Sequence, residues 1–579
     1  NNLAIGSNAL NGSIAGGEFN VAIGNSSLAA LTSGDDNTAV GYNAGSALTT
    51  GSTNTAIGSN AMYEGAVTGS FNIAVGSSAL RNLTTGPSNV AIGVNSLEAL
   101  TTGDRNIMVG MSSGAGYDAE NDNLGIGHSA LGGSVAGGEF NVAIGNYALD
   151  ALTSADYSVA VGYDAGSAIT TGGNNTLMGY QAGKHITTGT NNTGVGIQAL
   201  YNFDTETSNT AFGQSALGGA IAGGEYNVAV GNLTLDALTS GDFNTAIGYI
   251  SGSALTTGSN NTSVGNQSLE NHTIGNDNTA IGSGALNANT EGEQNTAIGR
   301  AALGGNTTAD NNTAVGYTAL LANTTGEHNI GIGNAAVNGG DTENHNLGIG
   351  TDALGGSVAG GEYNVAVGNY TLDATTSGDN NTAVGYQALT THTTGVSNTA
   401  VGYQAMSAGN VTGNYNTAIG VQASNNATSG QNNTSLGYSA ANDSVYSLTN
   451  ESHRIVIGNN SNTDAYIKID WTVTSDARDK MNFEDVPHGL NFVNQLTPVK
   501  FHFKKSRDDE TPHGKARYGF KAQDILALEG DSPVIIDNEK SEHLKYKGEH
   551  LVPVLVNAVK ELSAQVTTLQ QELKTIKGE

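Results

Sequence analysis

A five-residue unit, Asn-x-Ala-(Ile/Val)-Gly, returns every 17 or 18 residues through most of the chain. It reads Asn20-Val21-Ala22-Ile23-Gly24, then Asn37-Thr38-Ala39-Val40-Gly41, then Asn54-Thr55-Ala56-Ile57-Gly58, and 26 copies run from Asn2 to Asn433. Arg454-Ile455-Val456-Ile457-Gly458 is a degenerate last copy after a 21-residue step. A step this constant means that each copy is one turn of a solenoid, stacking only on its neighbours. The expected fold is therefore mainly β, an elongated parallel β-solenoid or β-roll of about 17-residue repeats. At about 4.8 Å per turn, 26 turns make a rod of roughly 125 Å.

The unit itself says how a turn is made. Alternation puts Thr55 and Ile57 on one strand face and Asn54, Ala56 and Gly58 on the other. The Ile or Val column suits the solenoid core. The small third residue, with Met108 and Leu177 as exceptions, suits a tightly packed face between subunits. The Asn amides are placed to bond from turn to turn. A second apolar layer follows the Gly, as in Ala61-Met62, Ala79-Leu80 and Ala199-Leu200, and Thr-Thr-Gly-Asp (Thr101 to Asp104) closes the turn.

Composition narrows the partners. The chain has 82 Gly and 6 Pro among 579 residues, but no Gly triplet repeat, which excludes collagen. Apolar residues in strict register exclude simple disorder. No run of about 18 apolar residues is present, so no membrane insertion is expected. No secretory n-region and h-region open the sequence. It begins at Asn2-Leu3-Ala4-Ile5-Gly6, already a repeat, which predicts a fibre continuing upstream. The lack of Cys removes disulfides, thiolate chemistry and Cys-bearing zinc sites. The net charge of −30 is uneven: 4 Lys and Arg stand against 31 Asp and Glu up to Val445, and 17 against 20 thereafter. A shaft this acidic repels nucleic acid and anionic lipid, so neither is an expected partner.

Several candidate sites carry little. The His residues (among them His128, His185, His272, His328 and His345) show no metal-ligand spacing and read as solvated loop positions. Gly-Gly-Glu-(Phe/Tyr)-Asn recurs at Gly16, Gly137, Gly223 and Gly360 with one carboxylate each, too few oxygens for calcium. No metal and no cofactor are expected. Tyr42, Tyr163, Tyr180, Tyr249, Tyr317, Tyr386, Tyr403 and Tyr438 all follow the unit's Gly. They form either a surface stripe able to touch glycans or a packing column between turns.

The repeat resembles the head repeats of trimeric autotransporter adhesins. That resemblance implies a trimeric β-roll for the shaft, assigned to residues 1–446.

Near Ser447 the repeats stop and Lys and Arg return. After a connector over 447–474, which holds Trp471, comes Ser475-Asp476-Ala477-Arg478-Asp479-Lys480-Met481-Asn482. Further on stand Leu496-Thr497-Pro498-Val499-Lys500-Phe501, Tyr518-Gly519-Phe520-Lys521-Ala522-Gln523-Asp524 and Leu544-Lys545-Tyr546. In this order they resemble the endosialidase-type intramolecular chaperone (peptidase family S74) of phage tailspikes and fibres, which opens Ser-Asp-x-Arg-x-Lys-x-Asn. Asp479 departs from it, since the family carries an apolar residue there. The resemblance implies a small α+β chaperone domain over 475–579 that assembles three chains. It also implies a dyad of Ser475 and Lys480 that cuts the chain once, between Thr474 and Ser475. A hydroxyl nucleophile needs a base, and an amine stripped of water on assembly can serve. No external substrate is implied.

The last helix reads without any family. Leu555, Val559, Leu562, Val566, Leu569, Leu573 and Ile576 alternate steps of four and three, a coiled-coil seam within 551–577. Pro553 falls in its first turn, where Pro is tolerated.

These readings converge on a homotrimeric fibre of a phage tail that attaches to a host-surface receptor, a glycan or an outer-surface protein. The alternative is a bacterial surface adhesin or predation fibre that uses the same chaperone. A polysaccharide-cutting shaft has no residue pattern in its favour, and Val, Ile and Leu interrupt the Thr column that ice binding requires.

Overall fold

A computed structural model describes residues 1–133, 137–219, 223–356, 360–443, 446–468, 475–504, 507–539 and 541–579. They form two compact units, 1–415 and 416–579.

The first unit is a parallel β-solenoid. Its 24 three-residue strands run from β1 (Leu3–Ile5) to β24 (Thr399–Val401), one per repeat. Each pairs in parallel with the next in perfect repeat register, Thr38 on Thr55, Ala39 on Ala56 and Val40 on Ile57. Thr38 N donates to Asn54 O at 2.9 Å and Gly41 N to Ile23 O at 2.8 Å, so backbone groups are satisfied by the turns on either side. The unit's Gly is fixed by two constraints at once. Gly58 has φ 131°, and a Cβ there would lie 2.4 Å from the carbonyl oxygen of Gly76 one turn on.

The two strand faces exchange the roles expected from side-chain size. Ala22, Ala39 and Ala56 are fully buried and pack with Leu28, Leu31, Leu48 and Met62 in the core of the roll. Ile57, on the opposite face, is 39% exposed. The roll is too thin for a branched side chain facing the Leu layer. Where the third residue is large, the next turn gives way: Leu177 is followed by Gly194, whose Cβ would lie 3.2 Å from Leu177 Cδ2. The Ile and Val column therefore lies outside.

The Asn column behaves as the sequence suggests. Asn37 Nδ2 donates to Gly51 O and to Asn20 Oδ1, each at 3.0 Å, while Asn37 Oδ1 accepts from Asn54 N at 2.9 Å. The Leu layer holds a surprise in its backbone: Leu28, Met62 and Leu80 sit at φ 47°, 49° and 49°. A left-handed conformation costs about 1–2 kcal/mol. Full burial of such a side chain contributes about 1.5–3 kcal/mol, so packing outweighs the strain.

Eleven residues after the Asn, where Leu31, Leu83, Leu100 and Leu152 fill the core, four successive turns carry His272, Asn289, Asn306 and Asn323. All are buried, so His272 is not the solvated loop residue its spacing suggested. Asn289 Nδ2 lies 3.0 Å from His272 Nδ1, Asn306 donates to Asn289 Oδ1 at 3.1 Å, and Asn323 to Asn306 Oδ1 at 3.2 Å. His392 occupies the same place later and is also buried. His185, His328 and His345 are exposed.

In the second unit, β25 (Thr417–Ile419), β26 (Thr434–Leu436) and β27 (Ile455–Ile457) continue the parallel pattern among themselves. The C-terminal module follows: α1 (Leu490–Gln495), an antiparallel hairpin of β28 (Val499–Lys504) and β29 (Pro512–Gly519), and α2 (Ala522–Glu529). It ends with the short pair β30 (Ile536–Asp537) and β31 (Lys545–Tyr546) and the long helix α3 (Leu551–Lys577). Phe492, Ile525, Ile535, Ile536, Leu551 and Val554 form its core. Among the described residues no helix is long and apolar enough to cross a membrane, and no cluster of three metal-ligating side chains occurs.

Candidate functional site

Residues 477–479 form a single 3₁₀ turn because Asp476 caps it. Its Oδ1 accepts from Arg478 N at 2.9 Å, and such a cap supplies a partner for an otherwise orphaned donor. The same carboxylate meets the Arg478 guanidinium, at 3.1 Å from Nε and 2.5 Å from the terminal nitrogen. The Arg478 side chain, then its backbone N–H, hold the Asp476 carboxyl below the usual carboxylate range. Lys480 N closes the turn on Ala477 O at 3.3 Å.

This turn folds the chain back on itself. Lys480 Nζ donates to Ser475 Oγ at 2.6 Å, across five residues. A nucleophile and a base within hydrogen-bond reach are the geometric minimum for covalent catalysis. Both side chains are exposed in the single chain. Thr474 lies outside the described residues, as does Trp471. Asp479, the departure from the expected motif, donates its N–H to Asp476 O at 3.1 Å and leaves its side chain in solvent. An acidic residue there costs the turn nothing.

The seam of α3 is laid open. Near the start of the helix, Leu551, Val554 and Ala558 are buried. Glu561 Oε2 accepts from Leu490 N at 2.7 Å and so caps α1. Leu555, Val559, Leu562, Val566, Leu569, Leu573 and Ile576 all remain exposed, from 40% at Leu555 to 82% at Ile576. Seven exposed apolar side chains thus line one face of the helix in heptad register, the pattern a coiled-coil seam uses.

The shaft presents two aromatic columns. Tyr163 and Tyr180, each following the unit's Gly, stack at 5.7 Å. The second column precedes the Asn and escaped the sequence reading. In it Phe140 stacks on Tyr157 at 5.2 Å, Tyr226 on Phe243 at 5.1 Å, and His345 lies between His328 and Tyr363. Its signal was available, since Phe19, Phe71, Phe140 and Tyr226 all stand directly before the Asn.

Residues 475–531 match the family model for the chaperone of endosialidase, Peptidase_S74, beginning at the candidate nucleophile itself. No curated protein matches the chain. This chain thus carries a chaperone-of-endosialidase domain, placed in sequence after a parallel β-solenoid shaft.

Proposed function

We propose that the chain is a homotrimeric phage tail fibre that attaches to a host-surface receptor. Its C-terminal domain assembles three chains and then cuts itself off between Thr474 and Ser475. The 2.6 Å contact between Lys480 Nζ and Ser475 Oγ carries the reading. Once the amine is neutral it takes the Ser475 proton, and Oγ attacks the Thr474 carbonyl carbon. The bond from that carbon to the Ser475 nitrogen breaks, and the nitrogen takes the proton. Water then hydrolyses the ester, leaving a Thr474 carboxylate and a free Ser475 amine.

Two open apolar surfaces support the trimer: the α3 seam and the outer Ile and Val column of the shaft. A clamp at one end also answers a kinetic problem. Parallel, non-local pairing among identical turns is slow and slips easily by one repeat. Three chains aligned by a coiled coil start in register.

Intact-mass spectrometry of the wild-type chain beside Ser475→Ala and Lys480→Ala variants tests the cleavage. The expected wild-type products are residues 1–474 and 475–579, with both variants uncut. A full-length wild-type chain overturns the self-cleavage. Analytical ultracentrifugation of the 1–474 product reads its chain number, three being expected. Competition of that product with phage adsorption on host cells tests attachment, and undiminished adsorption on every host tried overturns it.

A further inference from the structure

The scissile position lies inside a set of contacts that cutting does not break. Before it stand Tyr446, Arg454 and Thr463, around the last solenoid strand. After it stand Arg517, Asp537, Glu539 and Lys545, in the chaperone module. An Arg454 guanidinium nitrogen meets Glu539 Oε2 at 2.8 Å, across 85 residues of sequence. Arg454 also bonds the Tyr446 hydroxyl, and Lys545 Nζ lies 4.2 Å from the centre of the Tyr446 ring. Lys545 in turn lies 4.0 Å from Asp537, and Arg517 donates to the carbonyl of Thr463. The joint is a chain of polar contacts, Glu539–Arg454–Tyr446–Lys545–Asp537, in which the neutral Tyr446 ring lies between two cations that each face a carboxylate.

What this joint lacks is apolar burial. Ile455 and Ile457 of β27 stay 77% and 64% exposed, beside a cavity of about 850 Å³ lined by both parts. Charge holds the parts together, and charge is screened by salt over about 10 Å at 0.1 M. The sequence places that charge with economy: Arg300 is the nearest Lys or Arg before Arg454.

We propose that the last solenoid turn is a docking seat on which the chaperone module stays after scission, held by this ionic latch and released by salt. The inference rests on the self-cleavage reading above. Each latch alone is weak, because exposed ion pairs contribute little. Three latches about one axis act together, so the cut module leaves only when all three open. Scission thus turns a permanent covalent joint into one that responds to ionic strength.

The test uses the full chain with an affinity tag after Glu579. Self-cut protein is captured by the tag at about 50 mM NaCl and washed with rising salt. Native elution reads retention, and a denaturing gel reads cleavage separately. The shaft fragment is expected to stay at low salt and to leave by about 0.5 M. Arg454→Glu lowers the release concentration at least twofold, and adding Glu539→Arg to it restores the wild-type value. Loss of the shaft at the lowest salt, or equal release concentrations for wild type and Arg454→Glu, overturns the latch. If the denaturing gel shows no self-cleavage, the same series is run on a chain whose residues 470–474 are replaced by a site-specific protease sequence. The latch is then judged apart from the dyad.

Discussion

Met108 occupies the space that Gly125 leaves one turn later: a Cβ on Gly125 would lie 2.4 Å from Met108 Sδ. The pair shows that the shaft core conserves volume between neighbouring turns rather than within each one, as close packing requires.

Gly125→Ala therefore overpacks the core and destabilises turns 106–141 by about 1–3 kcal/mol. Met108→Ala alone opens a cavity at a similar cost, and the two together recover most of both losses. Hydrogen exchange at Ile107–Val109 and Leu124–Ile126 measures it. Additive losses in the double variant refute the compensation.

The buried Asn column gives a second test. Asn278 Nδ2 donates to Gly292 O at 2.9 Å and Asn261 Oδ1 at 3.1 Å, and its Oδ1 accepts from Asn295 N at 3.0 Å. Asn278→Ala leaves Asn295 N without its acceptor, whereas Gly292 O keeps Asn289 Nδ2 and Asn261 Oδ1 keeps the Asn278 backbone N–H, so the local cost is about 1–3 kcal/mol. Asn278→Ser costs less, because Ser158 holds the same place and still takes Asn175 N at 3.4 Å. Equal protection in the Ala and Ser variants contradicts this.

Acid acts through His392. Burial lowers its pKa from 6.5 to about 4, so the folded shaft holds it neutral. Between those values the unfolded chain binds the extra proton, and stability falls as pH drops from about 6.5 to about 4. The loss is on the order of 3 kcal/mol at its lower end. His392→Gln flattens that stretch of the pH profile of denaturant unfolding. An unchanged slope excludes His392 as the cause.

The outer column yields the test of assembly. Ile281 and Ile298 are each 39% exposed, so Ile281→Asp with Ile298→Asp disturbs little within one chain. Between chains it places charges on a shared apolar face, a burial that unpaired carboxylates resist. The cut double variant is expected to keep its β circular dichroism and to sediment below three chains. A trimer indistinguishable from wild type removes this face from the interface.

The period and the strand positions were legible because every turn repeats the same bonds, so 26 weak signals agreed. The direction of the faces was not. Alternation sorts Ala56 from Ile57 but does not say which side is inside. Size alone suggested Ile57, whereas the width of the roll, set by Leu28 and Leu48 across from it, decides for Ala56. His272 was misread for a related reason: its setting is visible only once its neighbours at seventeen-residue steps are aligned as one buried column. The pairing of Ser475 with Lys480 was expected only through the family resemblance, because a Ser and a Lys five residues apart are ordinarily independent surface side chains; the turn capped by Asp476 is what brings them into contact.

Most turns of the shaft offer their neighbours the same bonding edge, so a whole turn is nearly interchangeable with the next. Excising seventeen residues from Asn227 to Phe243 would bring Asn209 against Asn244 with no new kind of contact. The gene's own self-similarity makes such events easy through unequal recombination. The exceptions, Met108 with Gly125, Leu177 with Gly194 and the polar run from His272 to Asn323, must be inherited as blocks. Fibre length is then free to drift between these blocks in steps of about 4.8 Å, letting a lineage lengthen or shorten its reach without redesigning a fold.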